Sequence, residues 1–506
     1  MVLCVAVYLC TAPGRIMFPD DEIVFQTTES LWEDGDLSIA GTPRRSGEPA
    51  DRPDGTFGWE HGVDGKRYGF FGHALSVVAL PAYGLGKWLA DVAPEPWRHA
   101  IRSDHYTYHR RSQQADWPRL VVSLTNALVT AVAAWVLVAW LGVLGFSLPV
   151  SAMTGLCYAF GTLAWPYSRT FLSEPLSALV LLASAVCVAR FHAGRKDPAG
   201  AGNASCWLWA GGVLSGLSVH VHVLNLIALP CLLGYAVLPL VRERALASER
   251  RAWLGALGLG LGVVALLGLS HYLRFGDPWE TGRHGHYSHF IVPGEGLAAL
   301  LVAPGRSFLL YSPVVLLGLA GWPRLRRRVP DAAWFALAVV ATRLLFVSAR
   351  SDWFGGWGVG PRYLVPVVPF AVLPLAVVLA DLPRMRPLWR RLLVTGISLC
   401  IVLEAHLAAH SIWEWMNTLM NKPWAWGSGY LQRSHWLPAA TPVAGFFELQ
   451  VDMLSVGSAR LLRHGYSGMA WIFGAVATLG LASAVILGRT LSQPARRKNA
   501  SRFSPS

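Results

Sequence analysis

Phe18-Pro19-Asp20-Asp21-Glu22-Ile23-Val24 sets three carboxylates directly after the first apolar stretch of a chain that otherwise reads as membrane. Carboxylates at a bilayer boundary are costly, and where they are kept they usually serve function. A plainer reading stays open beside it: acids at the start of a helix suit the positive end of its dipole.

Working outward, 53% hydrophobic residues, only 14% charged residues and 23 Trp describe a chain solvated by lipid rather than a soluble globule. Apolar runs of the roughly 17 to 25 residues that cross a hydrocarbon core lie at 118–144, 149–167, 171–190, 206–220, 222–241, 252–272, 306–322, 332–349, 364–380, 392–412 and 468–488. With the N-terminal run they predict an all-α polytopic bundle of about 11 to 13 transmembrane helices. Met1 to Phe18 is short for a span and contains Pro13 and Arg15, so the natural chain is expected to begin earlier. A cleaved signal peptide fits less well, because no basic segment precedes the apolar run.

Short cytoplasmic loops retain Lys and Arg, and translocated ones are depleted of them. Alternate loops here are basic: Arg190/Arg195/Lys196, Arg242/Arg244/Arg250/Arg251, Arg324/Arg326/Arg327/Arg328, Arg384/Arg386/Arg390/Arg391, and the tail Arg489/Arg496/Arg497/Lys498/Arg502. Placing all five in the cytoplasm puts both termini there. The net charge of +13 is then a topology signal, and nucleic-acid binding is not indicated. The same assignment gathers the chemically interesting segments on the outer face: 13–117, 166–172, His220/His222, 273–305, 350–363 and 413–467. A transporter would bury its polar groups at mid-membrane between broken helices; polar residues collected at one boundary favour chemistry at an interface. The expected organisation is one membrane domain over 1–490, with 13–117 and 413–467 as its first and last outer loops, and a basic cytoplasmic tail over 491–506.

The seven cysteines fall in or at the ends of apolar runs without paired spacing, so neither a disulfide framework nor a zinc site is indicated. Gly258-Leu259-Gly260-Leu261-Gly262 has no strand before it and lies mid-span, which reads as close helix packing by small residues and not as a nucleotide loop. In the first outer loop, 22–34 predicts a short amphipathic helix on the membrane surface, and 37–65, rich in Gly, Pro and Asp, predicts a flexible stretch. Residues 68–90 are apolar enough to span, but counting them would invert every later loop, so a second surface-lying or re-entrant helix is expected there.

The order of these features resembles the C-type (GT-C) glycosyltransferases that use polyprenyl-phosphate sugars, including protein O-mannosyltransferases and aminoarabinose transferases. The likeness rests on the acidic pair Asp21-Glu22 after the first span, two juxtamembrane helices, and a bundle with short cytoplasmic loops. It also rests on Trp165-Pro166-Tyr167-Ser168-Arg169-Thr170-Phe171-Leu172-Ser173-Glu174-Pro175 and on Gly355-Gly356-Trp357-Gly358-Val359-Gly360-Pro361-Arg362-Tyr363-Leu364-Val365-Pro366. The resemblance implies transfer of a sugar from a lipid phosphate in an inner, plasma-type membrane to a glycan, lipid or protein acceptor on the extracytoplasmic side, with no cofactor. A hydroxyl acceptor needs a carboxylate within hydrogen-bond reach to take its proton, and direct displacement inverts the anomeric carbon. Asp21 is the expected base, Glu22 its understudy, and Asp20 an orienting neighbour.

A departing phosphate asks for a fixed cation, preferably the planar fork of Arg. Arg362 matches the family's Arg-Tyr position and comes first, then Arg169, then Lys66 and Arg67; the competing reading for each is an interfacial side chain snorkelling to lipid headgroups. A local Arg169–Glu174 pair at the start of a span is equally open. Tyr68, His73, Glu174, His222 and Tyr363 complete the expected substrate-binding set. His73 stands where relatives carry Pro, and His220-Val221-His222 where an Arg is common, so substrate preference is expected to differ. Arg283-His284-Gly285-His286-Tyr287-Ser288-His289 has histidines at loop spacing for a metal but no sharp ligand signature. Arg98 to Arg111 reads as a solvated loop before a headgroup cradle. Trp413, Trp415, Trp424, Trp426 and Trp436 read first as interfacial anchors and second as sugar platforms. A flippase or transporter, a glycan polymerase and a non-catalytic scaffold are the rival classes.

Overall fold

The computed structural model describes residues 1–39, 58–93, 117–197, 203–283, 288–422, 430–454 and 467–492. They form an all-α bundle with one two-stranded hairpin. The helices are α1 (Val2–Thr11), α2 (Pro19–Glu33), α3 (Ala74–Val92), α4 (Trp117–Ser123), α5 (Thr125–Val143), α6 (Leu148–Phe160), α7 (Ala164–Tyr167), α8 (Glu174–Gly194), α9 (Ala204–Val221), α10 (Leu229–Arg242) and α11 (Arg250–Phe275). Next come α12 (Gly294–Val302), α13 (Val314–Leu319), α14 (Trp322–Arg328), α15 (Pro330–Ser348), α16 (Val368–Ala371), α17 (Leu375–Ala380), α18 (Pro387–Ala409) and α19 (Ile412–Met420). The chain ends with α20 (Tyr430–Trp436), α21 (Pro442–Gly445) and α22 (Ser467–Ser492).

Among the described residues eight helical segments are long and apolar enough to cross a membrane, and the chain is an integral multi-pass membrane protein. Proline and glycine account for expected runs that are not single helices. The run at 149–167 breaks at Gly161, where a Cβ would sit 2.9 Å from the Cys157 carbonyl. The run at 306–322 yields only the short α13, which starts after Pro313 and ends before Gly321, a residue set against the Pro374 carbonyl where no side chain fits. The run at 364–380 stays helical in pieces: a 3₁₀ turn over Arg362–Val367, then α16 and α17, divided at Pro366, Pro369 and Pro374.

The predicted small-residue packing is found at Gly260, whose Cβ would come within 2.9 Å of the Gly212 carbonyl, so α9 and α11 lie backbone against backbone. Gly258 and Gly262 face open space. Gly276, with φ +78°, closes α11 in the left-handed conformation.

Pro19 opens α2 with Asp20, Asp21 and Glu22 in its first turn, so the helix forms where the acids sit, as expected. α3 is a separate helix laid on α2 and α4, with the Ser76 hydroxyl donating to the Val24 carbonyl at 2.9 Å and Lys87 paired to Glu33 at 2.7 Å. The expected flexible stretch is corrected at its end. Trp59–His61 (β1) and Arg67–Gly69 (β2) pair antiparallel around a turn at Asp64-Gly65, where Gly65 has φ +79°. None of the seven cysteines forms a disulfide.

Candidate functional site

The acids of α2 part company once side chains are placed. Asp21 is 1% exposed and turns toward the loop before α8, where the Phe171 N–H donates to Oδ2 at 3.2 Å. Its Oδ1 is buried with no hydrogen-bond partner. Burial pushes this carboxyl well above the usual range; the Phe171 N–H opposes the rise, the charges of Asp20 and Glu174 add to it, and Arg362 pulls against it. Such a group is kept ready to hold a proton.

Asp20 binds Arg362 Nη1 at 2.8 Å, and Glu174 binds Arg362 Nε at 2.6 Å. Arg362 is thus clamped between two carboxylates beside Asp21. That arrangement differs from the sequence expectation of a cation standing ready for phosphate. The expected Arg169–Glu174 pair is absent, because Arg169 is spent elsewhere. Its guanidinium donates to the carbonyls of Thr11 at 2.6 Å, His410 at 2.7 Å and Asp452, tying three distant segments together. Glu22 faces the other way and forms a two-pronged pair with Arg119, at 2.7 and 3.1 Å, while Arg119 lies over the Phe25 ring. Glu22 therefore ties α2 to α4. Lys66, exposed, binds Asp36 at 2.7 Å, and Arg67 covers the Trp59 ring. The Tyr68 hydroxyl donates to Asp64 at 2.7 Å.

A small cleft is lined among others by Phe70, Phe71, Ser173, His222, His271 and Arg283. The Leu224 N–H donates to His222 Nδ1 at 3.1 Å, so the neutral ring carries its proton on Nε2. Burial, then Arg283, Arg343, Arg362 and Arg350 in turn, drive the His222 pKa far below its ordinary value: the ring is neutral in a strongly positive surrounding. Tyr363 sits edge-on to His222 at 6.3 Å and donates to Asp352 at 3.4 Å, itself gripped by Arg350. His73 shares a hydrogen bond with His220 at 3.3 Å and is held neutral, its pKa pushed down to about 4, mainly by burial.

Arg283 lies over the Phe70 ring at 4.8 Å. It forms no ion pair with a carboxylate among the described residues, and it lines the cleft. Sequence reasoning saw it only as the head of a histidine run. Within that run 284–287 lie outside the described residues, as do 94–116, Trp424 and Trp426, and no group of metal-ligating side chains occurs among the described residues. Arg306 was missed altogether. It is buried and donates to the carbonyls of Gly356, Gly358 and Gly360, at 2.8, 2.7 and 3.1 Å, holding the glycine-rich loop whose Gly360 needs φ +60°. Its one signal was an Arg at the head of an apolar run. The Trp413 ring lies tilted against Trp357 with centroids 4.6 Å apart, and Trp415 is buried with its N–H on the Ala440 carbonyl, so both are packing residues of the segment after α18.

Residues 101–270 match a family model described as dolichyl-phosphate-mannose-protein mannosyltransferase. The resemblance read from the motifs is borne out over that third of the chain, which carries Glu174, His222 and the α8–α11 packing. No curated protein matches the sequence. Among solved structures, ArnT from Cupriavidus metallidurans in the apo state is similar at 16% identity over 94% of this chain and 74% of that one, with a TM-score of 0.48. The same protein bound to undecaprenyl phosphate gives 16% identity, 94% and 75% coverage and 0.46. The apo oligosaccharyltransferase of Archaeoglobus fulgidus gives 12% identity, 83% and 57% coverage and 0.44.

Proposed function

We propose that this protein is an integral membrane glycosyltransferase that moves a sugar from a polyprenyl phosphate to an acceptor hydroxyl, with inversion, at the extracytoplasmic face. The observation that carries this reading is that two neighbouring spaces share their walls. Beside the cleft that Arg283 and His222 line, an almost wholly apolar groove runs between α8, α9, α10 and α11, lined by Ser215, Leu226, Leu233, Leu257 and Leu261 among others. Cleft and groove share α9, α11 and the Val223–Ala228 turn. From Trp253 in the groove to Leu267 at the cleft, α11 covers roughly 20 Å at the helical rise. A positive head and a long apolar tail have the shape of a lipid phosphate, and the matched family's description names such a lipid as donor.

In this reading Arg283 and the Nε2–H of His222 hold the donor phosphate, and they stabilise it as it departs with the charge of the breaking C–O bond. Asp21 accepts the acceptor's proton as the new glycosidic bond forms. Arg362, pinned by Asp20 and Glu174, sets the field in which Asp21 ionises, and no metal is required at these residues. The distribution of basic loops supports an outer position for the α11–α12 loop, the glycine-rich loop and the site, with the C-terminus in the cytoplasm.

The test is release of free polyprenyl phosphate in lipid nanodiscs from a panel of polyprenyl-phosphate sugars, comparing wild type with Asp21→Asn and Arg283→Ala. Release that depends on both side chains supports the reading and identifies the sugar. Lipid phosphate that binds in an Arg283-dependent way with no release from any donor favours a transporter.

A further inference from the structure

Arg343 is 2% exposed, lies within the span α15, and belongs to no ion pair among the described residues. A guanidinium in that position is costly, and such residues are retained for function. Its bonds run to neutral groups on two different walls. Nε donates to the carbonyl of Tyr363 at 2.6 Å, one residue from Arg362, and Nη1 donates to Asn225 Oδ1 at 2.7 Å. Asn225 is fully buried and passes the connection on: its Nδ2 donates to Ser177 Oγ at 2.9 Å and to the Ser218 carbonyl at 2.8 Å. Ser177 is one turn after Glu174 on α8, and Ser218 is one turn before His222 at the end of α9. One guanidinium and one amide therefore join the three elements that carry Arg362, Glu174 and His222.

We infer that Arg343 is a positioning residue: through Asn225 it fixes the spacing between the Arg362–Glu174 clamp and the His222 wall, and so the alignment of Asp21 with a donor in the cleft. The inference rests on the transferase reading above. Ordinary structural duty explains it poorly, because an apolar side chain would fill the same space without a charge to bury. A Lys keeps the charge but lacks the planar fork that reaches Tyr363 and Asn225 together.

The experiment compares wild type, Arg343→Lys, Asn225→Leu and the double variant in nanodiscs, on protein confirmed as folded by its thermal transition. Misplacement of reacting groups by about 1 Å costs on the order of 100-fold in rate. Arg343→Lys is therefore expected to lower kcat by about that factor with a much smaller change in donor KM. The acidic limb of its kcat profile moves to higher pH, as Arg362 no longer opposes the raised pKa of Asp21 beside Asp20 and Glu174. Asn225→Leu repeats the loss in part, and the double variant is no worse than Arg343→Lys. Wild-type kcat and an unmoved acidic limb in folded Arg343→Lys would overturn the inference, as would strictly additive losses. If wild type releases nothing from any donor, the transferase reading fails by itself. The strut is then judged by undecaprenyl phosphate binding: weakened in Arg343→Lys it stands, unchanged it falls.

Discussion

Replacing Asp21 by Asn should move activity and stability in opposite directions. Loss of a positioned general base lowers turnover by about 10²–10⁴-fold, while donor binding through Arg283 persists. Stability follows from burial. The folded pKa of Asp21 lies above its ordinary 3.8, so the native state binds this proton more tightly than the unfolded chain does. The stabilisation from the protonated form is complete below pH 3.8 and is lost as pH rises through the folded value. Above its ordinary pKa, folding of the wild type therefore requires either burying an ionised, incompletely bonded carboxylate or protonating it, neither of which Asn requires, and each unit of the shift costs about 1.36 kcal/mol. Asp21→Asn should unfold at a higher temperature than wild type at pH 8, with the gap closing toward pH 4. Differential scanning fluorimetry across that range, beside the polyprenyl-phosphate release assay, reads both effects. Wild-type turnover in the variant would refute the base assignment. A variant less stable at pH 8, by an amount indifferent to pH, would refute the burial argument.

Three other outcomes are expected. Glu22→Gln removes the charged partner of Arg119 and should cost about 1–3 kcal/mol of stability, with kcat per folded molecule near wild type; loss of turnover without loss of stability would return Glu22 to the chemistry. Arg283→Ala gives up one or more charge-assisted hydrogen bonds of about 1.5–3 kcal/mol each and should raise donor KM more than tenfold. An unchanged KM, measured by initial rates, would move the phosphate seat elsewhere. Leu261→Trp fills the apolar groove from an exposed wall position and should weaken long-chain donors while sparing short-chain analogues, compared in one competition assay.

The three acids, Arg362 and Glu174 were legible because each breaks an apolar context, and such breaks are rare enough in a membrane chain to stand out. What the sequence withheld was pairing. Asp21 and Glu22 are neighbours, but 100° of helical rotation sends one to Phe171 and the other to Arg119, and nothing local tells which. Arg169 and Arg362 look alike at the edge of a span. One is consumed by three carbonyls and the other by two carboxylates, and the farthest of these partners, Asp20 from Arg362 and Asp452 from Arg169, lie at the opposite end of the chain. Arg306 and Arg343 were unreadable for the same reason, since their partners are mostly backbone oxygens, which carry no sequence signal. The apolar runs were legible, but the breaks that proline and glycine make inside them were not, because hydropathy is blind to them.

The carbonyls gathered by Arg169 belong to Thr11, His410 and Asp452, so they reach the membrane at opposite ends of synthesis. Until the ribosome has delivered the segment around Asp452, this guanidinium has only part of its final company. The knot around Arg169 therefore closes late in synthesis, and a chain halted before Asp452 would leave this buried charge short of one of its three carbonyls.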